Sequence, residues 1–182
     1  MEKEFLVGQI LIRTFRAEDV EEVYKAARES IKEISPWMPW CHENFSIAES
    51  ANYVLSREDA WKKEEEYSFA ICDAETGRLL GSTGLNQFNR CYQFCSLGYW
   101  VRTSAAGRGV ASQAARRVAQ FGLEELHLQR IQIVMDVENS ASRRAAEKAG
   151  ARQEGILRKR LLHHGNPRDA FMYSLIAEDF KH

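Results

Sequence analysis

The spacing of apolar residues near the amino terminus predicts a strand followed by a helix. Residues 10–15, ILIRTF, alternate apolar and polar side chains, which is the period of a half-buried strand. Between residues 17 and 31 the apolar side chains recur at the spacing that places them on one face of a helix, at Val20, Val23, Tyr24, Ala27 and Ile31. Pro36 and Pro39, in the segment SPWMPW, end any helix that reaches them.

A second helix and a group of strands follow this proline segment. Ser46 and Glu49 stand at the spacing of a capping box, so a helix is predicted to begin there. Residues 67–85 predict two strands joined by a turn at ETGR, and residues 95–101, CSLGYWV, add a third strand. These three strands predict an antiparallel meander.

The second half of the chain predicts one parallel crossover and a final hairpin. A helix from residue 110 leads to an alternating strand at 130–137, which completes a strand-helix-strand unit with CSLGYWV. A short helix capped by Asn139 or Ser140 comes next, and two strands then flank the turn HGNP. The predicted order is β-α-α-β-β-β-α-β-α-β-β. This is an α+β fold with a mixed, mostly antiparallel sheet and flanking helices.

Length and composition favour one soluble domain that spans residues 1–182. Hydrophobic residues make up 45% and charged residues 28%, values near those of soluble globular proteins. No signal peptide or membrane span is apparent, so a cytoplasmic protein is predicted. The net charge of -1 predicts no binding to nucleic acid or membranes. Without C-x-x-C spacing no metal site is predicted, and Cys91 and Cys95 are expected to lie in strands.

Gly107 and Gly109 stand directly before the predicted helix at residue 110. The start of a helix carries unpaired backbone amides and a partial positive charge, so a glycine turn there suits a phosphate group. The sequence does not match the triphosphate-binding loop G-x-x-x-x-G-K-[ST], because Val110 follows Gly109 where the motif requires a lysine. The dinucleotide fingerprint G-x-G-x-x-G fails as well, because Ser112 replaces its third glycine. A plain chain turn stays open as the alternative.

Three segments around this loop carry a family resemblance. They are GYWV at 98–101, GRGVAS at 107–112, and the run N-x-x-S, E-K-x-G and E-G within 139–155. With the predicted order of elements they resemble the GNAT superfamily of acetyl-CoA-dependent N-acetyltransferases. The closer resemblance is to the RimJ/RimL branch, which acetylates N-terminal amines of ribosomal proteins and typically carries WMPW, here at 37–40. The resemblance covers nearly the whole chain.

The resemblance implies a site for acetyl-CoA. The family motif R/Q-x-x-G-x-G/A, which holds the pyrophosphate, maps onto residues 106–111, with Ala106 in place of the usual Arg or Gln. Arg102 or Arg108 would then supply positive charge to the phosphates, and Asn139 would contact the cofactor arm. A bulged strand that splays from its neighbour would receive the pantetheine, with Gly98 at the bulge. The implied cofactor residues are Trp100, Val101, Arg102, Ala106, Gly107, Arg108, Gly109, Val110, Ala111, Ser112 and Asn139.

The resemblance also implies catalytic groups. A backbone amide near Tyr99 would stabilise the oxyanion, and Ser142 would stand near the coenzyme sulfur, although helix capping explains Ser142 equally well. Two carboxylates found in relatives are absent, because Ser96 and Leu161 occupy their positions. The remaining candidates for a general base are His42, Glu43, His163 and His164, and water is the alternative.

The proline-flanked tryptophans Trp37 and Trp40, with His42, are predicted to border the acceptor pocket, and packing in the core is the alternative for the tryptophans. The leading hypothesis is N-acetylation of the N-terminal α-amine of a ribosomal or other protein. A small amine such as a polyamine, aminoglycoside or amino acid derivative is the second, and the acids of CHENF at 41–45 and EEEY at 64–67 could supply the acidic pocket that would favour it. A catalytically silent acyl-CoA-binding module is the third. A homodimer is a further hypothesis.

Overall fold

The computed structural model describes residues 3–181, which form one eight-stranded sheet with helices on both faces. The strands are β1 (Glu4–Val7), β2 (Ile10–Thr14), β3 (Tyr67–Asp73), β4 (Leu79–Asn89), β5 (Phe94–Val101), β6 (Arg130–Asp136), β7 (Arg152–His163) and β8 (Asn166–Leu175). The helices are α1 (Asp19–Glu29), α2 (Ile31–Ile34), α3 (Ile47–Lys62), α4 (Val110–Glu124) and α5 (Ser140–Lys148), with 3-10 turns at Thr103–Ala105 and Ala177–Phe180.

The sheet has the order β1-β2-β3-β4-β5-β6-β8-β7, and β5 with β6 is the parallel pair. The predicted α+β class, the meander and the single crossover are therefore confirmed. Strand β1 and the short helix α2 were not predicted. Strand β1 has only four residues, and Phe5 is its buried member, packed against the rings of Phe69 and Phe121 from distant parts of the chain.

Local signals placed several boundaries correctly. Ser46 and Glu49 form the predicted capping box at the start of α3, and the side chain of Asn139 caps α5 by accepting from the Ser142 amide at 3.0 Å. The prediction for Cys91 is wrong, because this residue lies in the exposed turn between β4 and β5, whereas Cys95 is buried in β5.

Strands β5 and β6 separate along their length, and this gap positions the site. They pair only at residues 94–96 of β5 with 130–132 of β6. From Leu97 onward β5 keeps its pairing with β4 alone, while β6 continues alongside β8. The predicted splay is therefore present. The predicted bulge at Gly98 is wrong, because Gly98 pairs regularly with Gly84 and the irregularity lies between Asn86 and Asn89 of β4.

The core lies mainly between the sheet and α4, where Val118 and Phe121 are buried together with Phe69 and Ile131. Helices α1 and α3 cover the opposite face of the sheet through a smaller cluster that includes Val23 and Val54. Helices therefore lie near both faces of β5, and their side chains can form the wall of a cavity on each face. Among residues 3–181, no helix is long and apolar enough to cross a membrane.

Candidate active site

The glycine loop leads into α4 with the geometry that the sequence predicts. Gly107 and Gly109 have φ angles of +79° and +78°, in the left-handed region that favours glycine. The first bond of the helix runs from Gln113 N to Gly109 O, so the amides of Val110, Ala111 and Ser112 are left for another acceptor. These amides, at the positive end of a helix of 15 residues, are suited to an anion.

A cavity of about 350 Å³ extends from this loop toward the gap beside β5. Its wall contains Gly107 and Gly109 from the loop, Asn139 and Ser142 from the start of α5, and Tyr99 from β5. Other predicted cofactor residues that line it are Trp100, Val101, Ala106, Val110, Ala111 and Ser112. We call this space the cofactor cavity. The residues predicted from separate segments thus surround one space.

The positive charge of the cofactor cavity comes from α5, since Arg144 and Lys148 line it. The prediction for Arg102 is wrong, because its buried guanidinium pairs with Glu29 and donates to Leu79 O at 2.9 Å. Arg108 is exposed and is not among the residues that line the cavity. The cations therefore face the ligand space from a helix that follows the glycine loop in sequence but lies beside it in the fold.

The gap between β5 and β6 presents free backbone groups to the cofactor cavity. Arg102 N donates to Leu80 O on β4 at 2.8 Å. Successive amides of a strand point in opposite directions, so those of Tyr99 and Val101 point away from β4 and into the gap. The amide of Trp100 points toward β4, where Trp100 pairs with Ser82, so its contribution to the site comes from the side chain. A peptide-like ligand could pair with the groups in the gap.

The two predicted catalytic residues lie in contact. The Tyr99 hydroxyl donates to the Ser142 carbonyl oxygen at 2.9 Å, and the two hydroxyl oxygens are 3.2 Å apart. Burial raises the pKa of the Tyr99 hydroxyl to about 12, so it remains protonated near neutral pH. The pair joins β5 to α5 at the wall of the cofactor cavity.

A second cavity, of about 410 Å³, lies on the side of β5 that faces α1 and α3. It shares Met38, Tyr99 and Trp100 with the cofactor cavity, so the two spaces meet at β5. Its walls are aromatic and aliphatic for the most part, and its charged side chains are Glu49 and Glu66. We call it the acceptor cavity. The remaining lining residues are Val23, Trp40, Phe45, Tyr53, Ser68, Ser82, Thr83, Gly84, Asn86 and Gly98.

The predicted acceptor residues divide between these spaces. Trp40 lines the acceptor cavity and packs on Trp100, with ring centroids 5.3 Å apart. Trp37 lines the cofactor cavity instead and stands edge-on to His163 at 6.4 Å. His42 lies at the rim, where Nε2 is 2.9 Å from Glu49 Oε1, and it is not among the lining residues. Of the three residues predicted to border the acceptor pocket, Trp40 therefore lines the second cavity, whereas Trp37 lines the cofactor cavity and His42 lies at the rim.

The four predicted candidates for a general base lie outside the walls of both cavities. His163 Nδ1 is 3.4 Å from the buried Asp136, and His164 lies in the turn between β7 and β8 with φ of +48°. Glu43 is exposed, and its carbonyl oxygen accepts from Arg28. Among the described residues 3–181, none of the four candidates is part of either cavity wall.

Of the two carboxylates that line the acceptor cavity, Glu49 was not predicted as a pocket residue, whereas Glu66 lies in EEEY at 64–67, whose acids are candidates for an acidic acceptor pocket. Glu49 was assigned only to the capping box, which the structure confirms, and its contact with Ser46 holds its pKa below the usual range. Glu66 accepts from the Ser68 hydroxyl and is 2.8 Å from Arg57. A helical residue and a residue just before β3 give no local sign that they share a pocket, because α3 and the sheet meet only in the fold.

Comparison with known proteins identifies the family. The model of the acetyltransferase (GNAT) domain matches residues 9–152. The chain belongs to the GNAT acetyltransferase family. An acetyl-CoA-dependent N-acetyltransferase, predicted from the sequence resemblance, is thereby confirmed at the level of the family. Membership favours an enzyme over a silent binding module.

Individual relatives of this GNAT chain match over most of their length. A Bacillus subtilis protein named "Probable N-acetyltransferase YjcK" is 28% identical over 174 residues, which is 93% of this chain and 95% of the relative. "Putative ribosomal N-acetyltransferase YdaF" of the same organism is 25% identical and covers 94% and 93%. The structure of Mycobacterium smegmatis RimJ with a coenzyme A disulfide has a TM-score of 0.87 at 20% identity and covers 100% of this chain and 89% of that one, which shows a shared fold.

Proposed function

We propose that this GNAT acetyltransferase transfers the acetyl group of acetyl-CoA to the N-terminal α-amine of a protein. The observation that carries this proposal is the meeting of two differently charged cavities at Tyr99 and Trp100. The cofactor cavity offers helix amides and the cations Arg144 and Lys148, which suit the phosphates of coenzyme A. The likeness to a protein named as a ribosomal N-acetyltransferase supports a protein acceptor.

The chemistry is direct transfer between substrates held in the two cavities. The neutral amine attacks the thioester carbonyl, a carbon–nitrogen bond forms, and the carbon–sulfur bond breaks. The amide of Tyr99 or Val101, which points into the gap, donates to the oxygen that gains negative charge. The amine loses one proton and the departing sulfur gains one, so the reaction needs no further reactant.

In this proposal Ser142 delivers a proton to the sulfur. The Tyr99 hydroxyl donates to the Ser142 carbonyl oxygen, which fixes the start of α5 against β5. The Tyr99 hydroxyl oxygen, 3.2 Å away, can then accept from the Ser142 hydroxyl, which turns toward the cofactor cavity when it donates to the sulfur. Because burial raises the pKa of Tyr99 to about 12, the tyrosine keeps its proton, and Ser142 regains a proton from the solvent, which receives the one lost by the amine.

The acceptor cavity needs no strong base for an α-amine. The pKa of an N-terminal amine is about 7.7 to 8.0, so part of it is already neutral at physiological pH. The carboxylate of Glu49, with a pKa below its usual range, stays ionised and attracts the protonated amine to the rim. Water at the rim then accepts the proton.

A panel of peptides that differ at the first residue tests this proposal. Thiol release from acetyl-CoA is measured with each peptide free at its amino terminus, and the same peptides blocked by N-terminal acetylation serve as controls. Mass spectrometry is used to locate the added acetyl group on the α-amine. We expect turnover with free peptides and none with blocked ones. Acetylation of lysine side chains alone would contradict an α-amine acceptor.

A polycationic small amine is the second candidate acceptor. The specific observation in its favour is that Glu49 and Glu66 line the acceptor cavity, and that no Lys, Arg or His of residues 3–181 lines it. A linear polyamine could place one amine at Tyr99 and a second near Glu66. Kinetics with spermidine and with a monoamine of equal length distinguish the two candidates, because only a polyamine enzyme would prefer spermidine strongly over both the monoamine and the peptides.

A further inference from the structure

Gly98 lies at the centre of β5, in the wall of the acceptor cavity and next to Tyr99. A Cβ atom built on Gly98 would meet no heavy atom within 4 Å, so the space above it is open. Its φ angle lies outside the left-handed region, so the backbone does not require glycine there. Glycine is disfavoured in the interior of a strand, so its presence at position 98 needs an explanation. The open space beside it is the explanation that remains.

Neighbouring glycines of the same sheet have a different explanation. A Cβ on Gly84, the pairing partner of Gly98, would lie 2.9 Å from Tyr67 O, and one on Gly81 would lie 2.1 Å from Trp100 O. At these two positions glycine allows the neighbouring backbone segments of the sheet to pack closely. Gly98 instead faces empty space beside the point where the two cavities meet.

We propose that Gly98 is a specificity-determining residue that admits a bulky substituent beside the reacting amine. This inference rests on the proposed function, since the amine must reach the thioester near Tyr99. A substituent on the carbon that bears the amine then passes over Gly98 into the acceptor cavity. The cavity has about 410 Å³ of space, far more than the amine needs, and its aromatic walls suit an apolar group.

The predicted substrate class is therefore an amine whose neighbouring carbon carries a large, mainly apolar substituent. For a protein acceptor this means that a large first residue, such as Leu or Phe, is accepted. Trp40, Phe45 and Trp100 would contact such a side chain, and Glu49 and Glu66 would accept from polar groups farther along the chain. A side chain added at position 98 would occupy the same space.

The variants G98A and G98V test this inference, with G155A and G155V as matched controls. Gly155 is also a strand glycine whose added Cβ would meet nothing within 4 Å, and it lies in β7 outside both cavity walls. The four variants and the wild type are compared on peptides that begin with Gly, Ala, Leu or Phe and are otherwise identical. Affinity for coenzyme A is measured separately by titration.

We expect G98V to lower kcat/KM for the Leu and Phe peptides about 10- to 200-fold relative to the Gly and Ala peptides, with G98A intermediate. The Gly155 variants should keep the wild-type profile, and affinity for coenzyme A should stay within about twofold in all of them. An equal loss on every peptide, an unchanged profile in G98V, or a wild type that rejects Leu and Phe would overturn the inference.

A primary-amine series from methylamine to phenethylamine separates this inference from the proposed function. If no peptide is a substrate, the proposed protein acceptor fails, and the same Gly98 variants are compared on these amines. Binding is followed by tryptophan fluorescence as well as turnover, because Trp40 and Trp100 line the cavity. Loss of the larger amines alone in G98V supports the role of Gly98, and equal binding of all amines by G98V and wild type contradicts it.

Discussion

The hydroxyl of Tyr99 donates to the carbonyl oxygen of Ser142 at 2.9 Å, across 43 residues of sequence. In the proposed mechanism the Ser142 hydroxyl, 3.2 Å from that of Tyr99, donates a proton to the coenzyme sulfur. We expect S142A to lower kcat about 100-fold, the lower range for loss of a proton donor, with little change in KM for acetyl-CoA. Steady-state kinetics at saturating acceptor measure the effect.

Ser140 provides the control for Ser142, because it lies on α5 but is exposed and outside both cavity walls. S140A should retain wild-type kcat. If S142A also retained wild-type kcat, the serine would serve only the start of the helix. Y99F should lower kcat as well, and the double variant should lose less than the product of the two single losses, because the residues act as a unit.

Within the glycine loop, a side chain at Gly109 would most disturb the predicted site of the coenzyme A pyrophosphate. We expect G109V to raise KM for acetyl-CoA at least about 10-fold, because the φ of +78° is unfavourable for valine and the added group stands over the helix amides. Gly77 has a φ of +71° in the turn between β3 and β4, so G77V carries similar strain far from the site. Equal affinity of both variants for acetyl-CoA would remove the loop from the cofactor site.

Local features of the site could be predicted from the sequence, because they depend on neighbouring residues. A left-handed glycine before a helix, the Asn139 cap and the capping box of Ser46 are all set within a few positions. Strand β1 could not be predicted, because its four residues gain their stability from distant aromatic rings.

Side chains whose partners lie far away in sequence were the least predictable. Arg102 stands just before the glycine loop, yet its partner Glu29 is 73 positions away and withdraws it from the phosphate site. Gly98 was expected at a bulge, since glycine within a strand often marks one, but the cavity that explains it is formed by α1 and α3 packing over the sheet. Glu49 could not be predicted as a lining residue of the acceptor cavity for the same reason.

Arg144 and Lys148 are expected to hold the phosphates of acetyl-CoA. Each substitution, R144A or K148A, should raise KM for acetyl-CoA about 10-fold and leave kcat at saturation unchanged, because a hydrogen bond to a charged group contributes about 1.5–3 kcal/mol. The effect should shrink with added salt. R143A is the control, since Arg143 pairs with Glu147 at 2.9 Å outside the cavity wall. A loss in R143A equal to that in R144A would indicate a general effect of charge on α5.

Glu29 stabilises the fold and also holds the segment that leads into the glycine loop. Its hydrogen bonds from Arg102 lower the pKa of Glu29 from its ordinary value of 4.5 to about 2, and it also accepts from the Ser104 amide at 2.8 Å. A carboxylate with a lowered folded-state pKa stabilises the protein above its unfolded-state pKa, and this contribution disappears as the pH falls toward 2. E29Q should therefore destabilise the protein by about 1 kcal/mol at pH 7, a value reduced by partial exposure.

Urea denaturation of E29Q and wild type at pH 7, 4.5 and 3 measures this linkage. The difference in the free energy of unfolding should be constant from pH 7 to about pH 5 and should decrease below pH 4.5, since Glu29 of the wild type then loses its advantage over glutamine. E75Q, at an exposed turn position, should show no such dependence. A difference that grew as the pH fell would contradict the ion pair with Arg102. E29Q should also raise KM for acetyl-CoA, because Ser104 and Arg102 fix the turn from which Gly107 and Gly109 extend.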